Sequence, residues 1–270
     1  MPKSPENYYR PEQLDEALTL LAQPDVVPLG GGTKLLTSES GLPVYGVVDL
    51  QALGLNQIRL DGDVLRIGAT AKLVELANFL QTEMATAVCA ALLQKAIKQA
   101  GPNTYRNAAT LGGTIATVLP DSELLAALLV LDATIMLQNP EANVLSLADY
   151  LSIDIQPKGL ITAVSIQITN GKAASNRVAR TPADYPIVSI TAWQPEGETP
   201  RLAATGIAER PLRLSRAEAA LVSGLSKTAV ESAAQAAKES CTHPGDFRGD
   251  TAYRAKMAAV LTRRTLQNLS

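Results

Sequence analysis

Two glycine-rich segments constrain this chain more than any other feature. Gly30-Gly31-Gly32-Thr33 follows the apolar run Val26–Leu29, and Thr110-Leu111-Gly112-Gly113-Thr114 follows a polar loop and leads into Ile115-Ala116. Glycine lets the main chain approach a partner closely, and its amide can donate to a phosphate oxygen. The flanking threonines add hydroxyl donors. Two such loops converging on one pyrophosphate would hold a dinucleotide. The glycine pattern alone, however, is met more simply by two tight turns packed against their neighbours. The familiar alternatives do not fit. There is no Gly-x-Gly-x-x-Gly with a later acidic residue, no Gly-x-x-x-x-Gly-Lys-[Ser/Thr] and no Gly-x-Ser-x-Gly.

The rest of the chain reads as a mixed α/β front followed by strands and then helices. Pro11 and the spacing of Leu14, Leu18 and Leu21 predict a helix over 11–22. Val26–Leu29 and Val44–Leu50 read as strands, and Ile58–Ala69 as a hairpin turning at Asp61-Gly62. Thr70 is positioned to cap a helix to about Leu80, and a longer helix is expected over about 83–100. A polar loop follows Gly101-Pro102-Asn103. Asp121 is the expected N-cap of a helix over 122–131. Ala133–Gln138 and Leu160–Ile168 read as strands. Composition shifts near Asn170-Gly171-Lys172, which marks a boundary. Strands at about 177–180, 187–193 and 201–208 then suggest an antiparallel sheet, followed by helices at about 215–223, 227–239 and 251–268. The expected class is α+β, with a front domain over 1–170 and a second domain over 171–270.

Composition removes several functions. The 270 residues are 46% hydrophobic, enough for two or three cores. The net charge of −2 and 4% aromatic content give neither the basic footprint nor the stacking platforms of a nucleic-acid binder. No apolar run approaches the roughly 18–20 residues of a membrane span. The first ten residues lack a secretory apolar core, so a cytoplasmic location is expected. Cys89 and Cys241 read as free thiols. With two cysteines and the single His243, the chain lacks the soft ligands of an iron–sulfur cluster or structural zinc, so any metal belongs to a partner. His243 reads as a surface residue before Pro244.

The ordered set of motifs resembles the flavin-binding subunits of molybdenum hydroxylases, the family of carbon monoxide and xanthine dehydrogenases. Residues 28–36, Pro-Leu-Gly-Gly-Gly-Thr-Lys-Leu-Leu, resemble its Ala-Gly-Gly-Thr-Asp-Leu-Leu loop. Residues 106–116 resemble its Arg-Asn-x-x-Thr-Leu-Gly-Gly-Asn-Ile, and 121–133 its Ser-Asp-Leu-x-x-Ala-Leu-Leu-Ala-Leu-Asp-Ala. Pro157-Lys158-Gly159-Leu160-Ile161, the stretch from Arg177 to Val188, and the closing Thr251–Arg264 segment continue the match in order. Each motif is moderately specific, and the ordered set favours the dinucleotide over the bare turns.

The resemblance implies a two-subdomain FAD-binding fold of the vanillyl-alcohol-oxidase type, with subdomains about 1–55 and 56–170, ahead of a C-terminal antiparallel sheet with helices. It implies FAD as cofactor. Gly30, Gly31, Gly32, Thr33 and Lys34 would lie on one side of the pyrophosphate, and Thr110, Gly112, Gly113 and Thr114 on the other. Glu123 would lie near the ribose, with Leu160 and Arg177 lining the flavin or adenine. No side chain need be an acid–base catalyst. The implied partners are a molybdopterin-containing large subunit and a [2Fe–2S] small subunit in a hetero-oligomer, with electrons passing on to NAD or another acceptor. This chain departs from the family at Lys34, Thr114 and Glu123, where aspartate, asparagine and aspartate are usual. Those departures motivate a second reading, a structural or assembly subunit that has lost FAD. A third, a self-contained flavin oxidase, would need an acid–base constellation that the sequence does not display.

Overall fold

The computed structural model describes residues 5–35, 45–153 and 159–269. Leu36, Val44 and Pro157-Lys158, which entered the strand and motif readings above, lie outside the described residues, as do the first four residues.

Strand β1 (Asn7–Tyr9), helix α1 (Leu14–Leu21), β2 (Val26–Leu29) and β3 (Gly46–Asp49) build a small parallel sheet in the order β1-β3-β2. Helix α1 starts at Leu14 rather than Pro11, and its buried Ala17 packs with Val26, Val48 and Leu50. Strand β2 stops where Gly30 begins. The hairpin of β4 (Ile58–Asp61) and β5 (Val64–Gly68) turns through Gly62, whose φ of 60° suits glycine.

Next come α2 (Leu73–Glu83), α3 (Val88–Gln99), α4 (Asn103–Arg106), α5 (Leu111–Thr117) and α6 (Glu123–Val130). Several boundaries differ from the sequence-based expectation. Thr70 does not cap α2. Its amide bonds the Leu55 carbonyl, and the Glu75 carboxylate accepts from the Lys72 amide at 2.9 Å to close the first turn. The expected long helix begins only at Val88, after a turn closed by the Ala87 amide on Met84. The expected polar loop contains α4, fixed by Arg106, which donates to the Gly101 carbonyl and the Asn103 side chain. Ser122, not Asp121, caps α6 through the Leu125 amide, because the Asp121 carboxylate is engaged by Arg248.

Strands β6 (Thr134–Asn139) and β7 (Glu141–Ser146), helix α7 (Leu147–Ser152) and β8 (Leu160–Gln167) complete a five-stranded antiparallel sheet, β4-β5-β8-β6-β7. Strand β7 was not anticipated. It is an edge strand, mostly exposed, so its residues show no apolar alternation.

The C-terminal part is an antiparallel sheet of β9 (Gly171–Val178), β10 (Val188–Pro195), β11 (Arg201–Thr205) and β12 (Leu212–Arg213), with helices α8 (Ser215–Ala219), α9 (Lys227–Glu239) and α10 (Thr251–Gln267). Strand β9 starts six residues before the expected 177–180 segment. Both faces of this sheet are covered, with period-two assignment. Val188, Ile190, Ala192, Leu202 and Ala204 pack under α9 and α10, while Trp193 and Ala203 join the core of the front half. Helix α6 supplies much of that second cover. All eight of its residues are buried, as expected of a helix apolar on nearly every side.

One buried charge pins the C-terminal core. Arg254, with no exposed surface, donates to the carbonyls of Ile187 (2.6 Å), Gly206 (2.7 Å) and Gly249 (3.1 Å) and to Asp246 (2.6 Å). Truncation to methionine would remove one donor from each of three carbonyls and from a carboxylate, all at or near the core. Arg254→Met should therefore lower unfolding free energy by about 3–5 kcal/mol in urea denaturation. A loss below about 1 kcal/mol would show that the network contributes little.

Candidate functional site

The two glycine segments meet. A side chain at Gly31 would overlap the Ala108 carbonyl, and one at Gly30 would come within 2.8 Å of the Thr110 hydroxyl. The end of β2 is thereby set directly against the turn that precedes α5. A side chain at Gly112 would strike Ala69 at 2.7 Å, so this second glycine seats α5 against the end of β5. Gly113 is different. It is exposed, and a Cβ there would meet only the Thr110 hydroxyl, at 2.9 Å.

Between the loops lies a cleft of about 350 Å³, lined by Gly30 to Leu35 on one side and by Thr110, Gly113, Ala116 and Thr117 on the other, with Tyr105 at its edge. Among the described residues, the amides of Gly31, Gly32 and Thr33 donate to no protein acceptor. Gly32 has a φ of 70°, a left-handed conformation that turns successive amides toward a common side. The second loop is arranged otherwise. The Gly112 amide bonds the Ala69 carbonyl, the Gly113 amide bonds the Thr110 hydroxyl at 3.2 Å, and the Thr114 amide and hydroxyl both bond the Thr110 carbonyl. Thr114 is buried and does not line the cleft.

Of the sequence-predicted residues, Gly30–Lys34, Thr110 and Gly113 therefore come together on one cleft, with Gly112 and Thr114 behind its wall. Leu160 does not join them. It is buried at the start of β8 in the core with Ala17, Val26 and Val48. Tyr105, Ala116 and Thr117 line the cleft without having been singled out. Ala116 and Thr117 fall three and four residues after Gly113 on the same helical face, a spacing visible in the sequence once 111–117 is taken as helix. Tyr105 arrives through the fold of α4, which no local signal announced.

A second group of polar residues sits away from the cleft lining. Glu123, in the first turn of α6, is buried, and its Oε2 has no hydrogen-bonding donor. Arg177 of β9 brings Nη1 to 3.0 Å from that oxygen but is not aligned to bond it, so the contact is an ion pair only. Burial pushes the Glu123 carboxyl up to about 7. Arg177 and Lys95 pull against that shift, while Asp121 adds to it. Tyr185 of the C-terminal half reaches the Ala100 carbonyl with its hydroxyl at 3.5 Å. Its phenol is shifted upward by burial, with further contributions from Tyr105 at the cleft and from Asp121 near Glu123.

A larger depression of about 580 Å³ lies elsewhere, beside α7 and β12, lined by Asp149, Ser152, Arg210 and Arg213 among others. Its arginines are engaged. Arg210 donates to the carbonyls of Leu151 and Ile153, and Arg213 binds Glu218, Asp132 and the Leu129 carbonyl. The glycine cleft, with unsatisfied amides on its wall, is the better ligand site. No group of three or more metal-ligating side chains is present among the described residues.

The chain is similar to known proteins along nearly its whole length. The family model for the FAD binding domain in molybdopterin dehydrogenase matches residues 4–166, and that for the CO dehydrogenase flavoprotein C-terminal domain matches residues 163–269. An uncharacterized Escherichia coli protein, YgfM, is 30% identical over 260 residues, covering 95% of this chain and 93% of its own. The carbon monoxide dehydrogenase medium chain of Afipia carboxidovorans is 29% identical over 279 residues, covering 97% and 95%. Among solved structures, reconstituted CO dehydrogenase from Oligotropha carboxidovorans contains a chain that matches with a TM-score of 0.88 and 26% identity, over 100% of this chain and 98% of that one.

The raised pKa of Glu123 has a consequence for stability without any ligand. An unfolded glutamate ionises near its ordinary value of 4.5, whereas in the fold this one keeps its proton to about pH 7. Between those values the folded chain binds the extra proton, so stability falls as pH rises from about 4.5 to 7 and levels off above. Glu123→Gln should remove that component. Urea denaturation of both apoproteins across pH 4–8 should show wild type losing ground to the variant in that window. Parallel profiles would contradict the assignment.

Proposed function

The chain belongs to the family of FAD-binding subunits of molybdenum hydroxylases, an oxidoreductase component, and from that premise we propose how it holds its cofactor and what it does. FAD lies with its pyrophosphate in the cleft between Gly31–Thr33 and the Thr110–Thr114 segment. The observation that carries this reading is the set of three undonated amides on a wall that a single Cβ would disrupt. When bound, FAD would supply the redox chemistry, taking up electrons singly and releasing them in pairs.

The chain's own residues bind and orient. The Gly31, Gly32 and Thr33 amides donate to pyrophosphate oxygens, and Lys34 contributes a positive charge to the same wall. Thr110 holds the start of α5, which keeps Gly113 bare at the cleft. The buried Glu123 oxygen, lacking a donor, accepts from a ribose hydroxyl, with Arg177 beside it as a charge partner. Leu160 acts from behind the site, by packing the small parallel sheet against β8. The departures at Lys34, Thr114 and Glu123 do not close the cleft, and no observation favours a subunit that has lost FAD.

Residues 1–170 form the flavin domain, with subdomains about 1–55 and 56–170, and 171–270 form the C-terminal domain. The chain joins a molybdopterin-containing large subunit and a [2Fe–2S] small subunit, takes electrons from the latter and passes them to NAD or another acceptor. The medium-chain relatives support this reading. Cytoplasmic assembly fits the two free thiols of the folded chain. No helix among the described residues is long and apolar enough to cross a membrane.

The cofactor site is tested best at Gly113. A valine at Gly31 would collide with main chain and prevent folding. At Gly113 the nearest obstacle is a rotatable hydroxyl, so Gly113→Val should fold while its methyl groups occupy the cleft. Wild type should show a visible flavin spectrum at one FAD per chain, and the variant should lose it. A colourless wild type that ignores added FAD would sink the site, as would a variant that keeps its full flavin.

The assembly is tested by affinity purification from the native host, followed by metal analysis. Molybdenum and iron should co-purify, and the isolated chain should oxidise no aldehyde, purine or carbon monoxide. Recovery of the chain alone with flavin, or substrate oxidation by it unaided, would contradict the proposal.

A further inference from the structure

Besides covering helix α6, the C-terminal domain fastens one short segment of the front half. Between α5, which carries Gly113, and α6, which carries Glu123, the chain passes through Val118 with a φ of 47° and then through a turn closed by the Ser122 amide on the Leu119 carbonyl. A left-handed β-branched residue is a strained connection, and it persists only where surrounding contacts fix it. Those contacts come from three places in the C-terminal half. The Gly206 amide donates to the Pro120 carbonyl at 2.9 Å, Arg248 donates to Asp121 at 3.0 Å, and Arg177 pairs with Glu123.

Arg248 is itself held. Residues 246–249 form a tight hairpin in which the Asp246 carboxylate accepts from the Arg248 amide (2.8 Å) and side chain (3.1 Å) and from the buried Arg254 (2.6 Å). Arg254 in turn bonds the carbonyl of Gly206, the same residue whose amide holds Pro120. The circuit from Pro120 through Gly206, Arg254, Asp246 and Arg248 back to Asp121 is closed. The Arg248 and Asp121 side chains are largely buried, where a charge-assisted pair is geometrically selective.

We propose that Arg248 is a positioning residue for the flavin site, setting the Pro120–Glu123 turn through Asp121 and so fixing Glu123 relative to Gly113. The inference rests on the flavin site proposed above. It assigns the C-terminal domain a part in cofactor affinity although that domain contributes no residue to the glycine cleft. Arg248 need not touch FAD, since its effect is carried by the turn.

The test uses the full chain, freed of flavin and titrated with FAD by flavin fluorescence, with the thermal midpoint of each apoprotein measured in parallel. The variants are Arg248→Gln, Arg248→Lys, Asp121→Asn and the double Arg248→Gln/Asp121→Asn. Each neutral single variant should weaken FAD binding by about tenfold. The double should bind no more weakly than either single, because one interaction is lost in all three. Lysine should restore most of the affinity by keeping the charge. Asp121→Asn is nearly isosteric and reports even if Arg248→Gln folds poorly. Wild-type affinity in Arg248→Gln or Asp121→Asn would overturn the positioning role while leaving the flavin site standing. Losses that add in the double, or that track a matching fall in apoprotein midpoint without rescue by lysine, would also overturn it. A wild type that binds no FAD would remove the underlying site.

Discussion

The front half of this protein depends on main chain meeting main chain at Gly31 and Ala108. No side chain can stand between them. Because they touch, the end of β2 is set against the turn into α5, and the two loops share one cleft instead of facing separate solvent. The contact also explains the division of labour between the loops. The second loop spends its amides on its own helix and on Ala69, which makes it a rigid wall. The first loop leaves three amides undonated, at a position where solvent or a ligand must complete them. A rigid wall facing an unsatisfied one is an arrangement suited to an anion, with the donors supplied by backbone.

Helix α6 links that cleft to the rest of the molecule. It is the most completely buried helix of the chain, packed between the front core and the C-terminal sheet. Its first residue is a glutamate, and burying a carboxylate with only an ion-pair partner is unfavourable. Such a conflict between local chemistry and surroundings is expected where a position serves binding more than stability. The C-terminal half then contributes in two ways. Its sheet covers α6, and its buried arginine network ties the turn in front of α6 to the domain core.

Much of this was legible in the sequence because the signals were local. Strand β2 is bracketed by Asp25, in a left-handed conformation, and by Gly30, so its limits are written in the chain. The glycine loops were recognisable by composition, spacing and family likeness. What could not be read depended on contacts made across the fold. Asp121 looks like a helix cap until Arg248, 127 residues away, takes its carboxylate. Thr114 looks like a phosphate donor until the helix places its hydroxyl on the Thr110 carbonyl. Leu160 looks like a cofactor contact but belongs to the core beneath the small sheet. Tyr105 gave no signal at all, since its place at the cleft follows from the short helix α4 and from the approach of the two loops.

In the proposed site the undonated amides of the first glycine loop receive the cofactor's pyrophosphate. Hydrogen–deuterium exchange resolved to single residues, with and without saturating FAD, tests it directly. Amides without a protein acceptor should exchange fast in the apoprotein. On FAD addition, Gly31, Gly32 and Thr33 should slow markedly, while Gly112 and Thr114, already bonded within the protein, should change little. Unaltered exchange at Gly31–Thr33 in FAD-saturated protein would contradict the account.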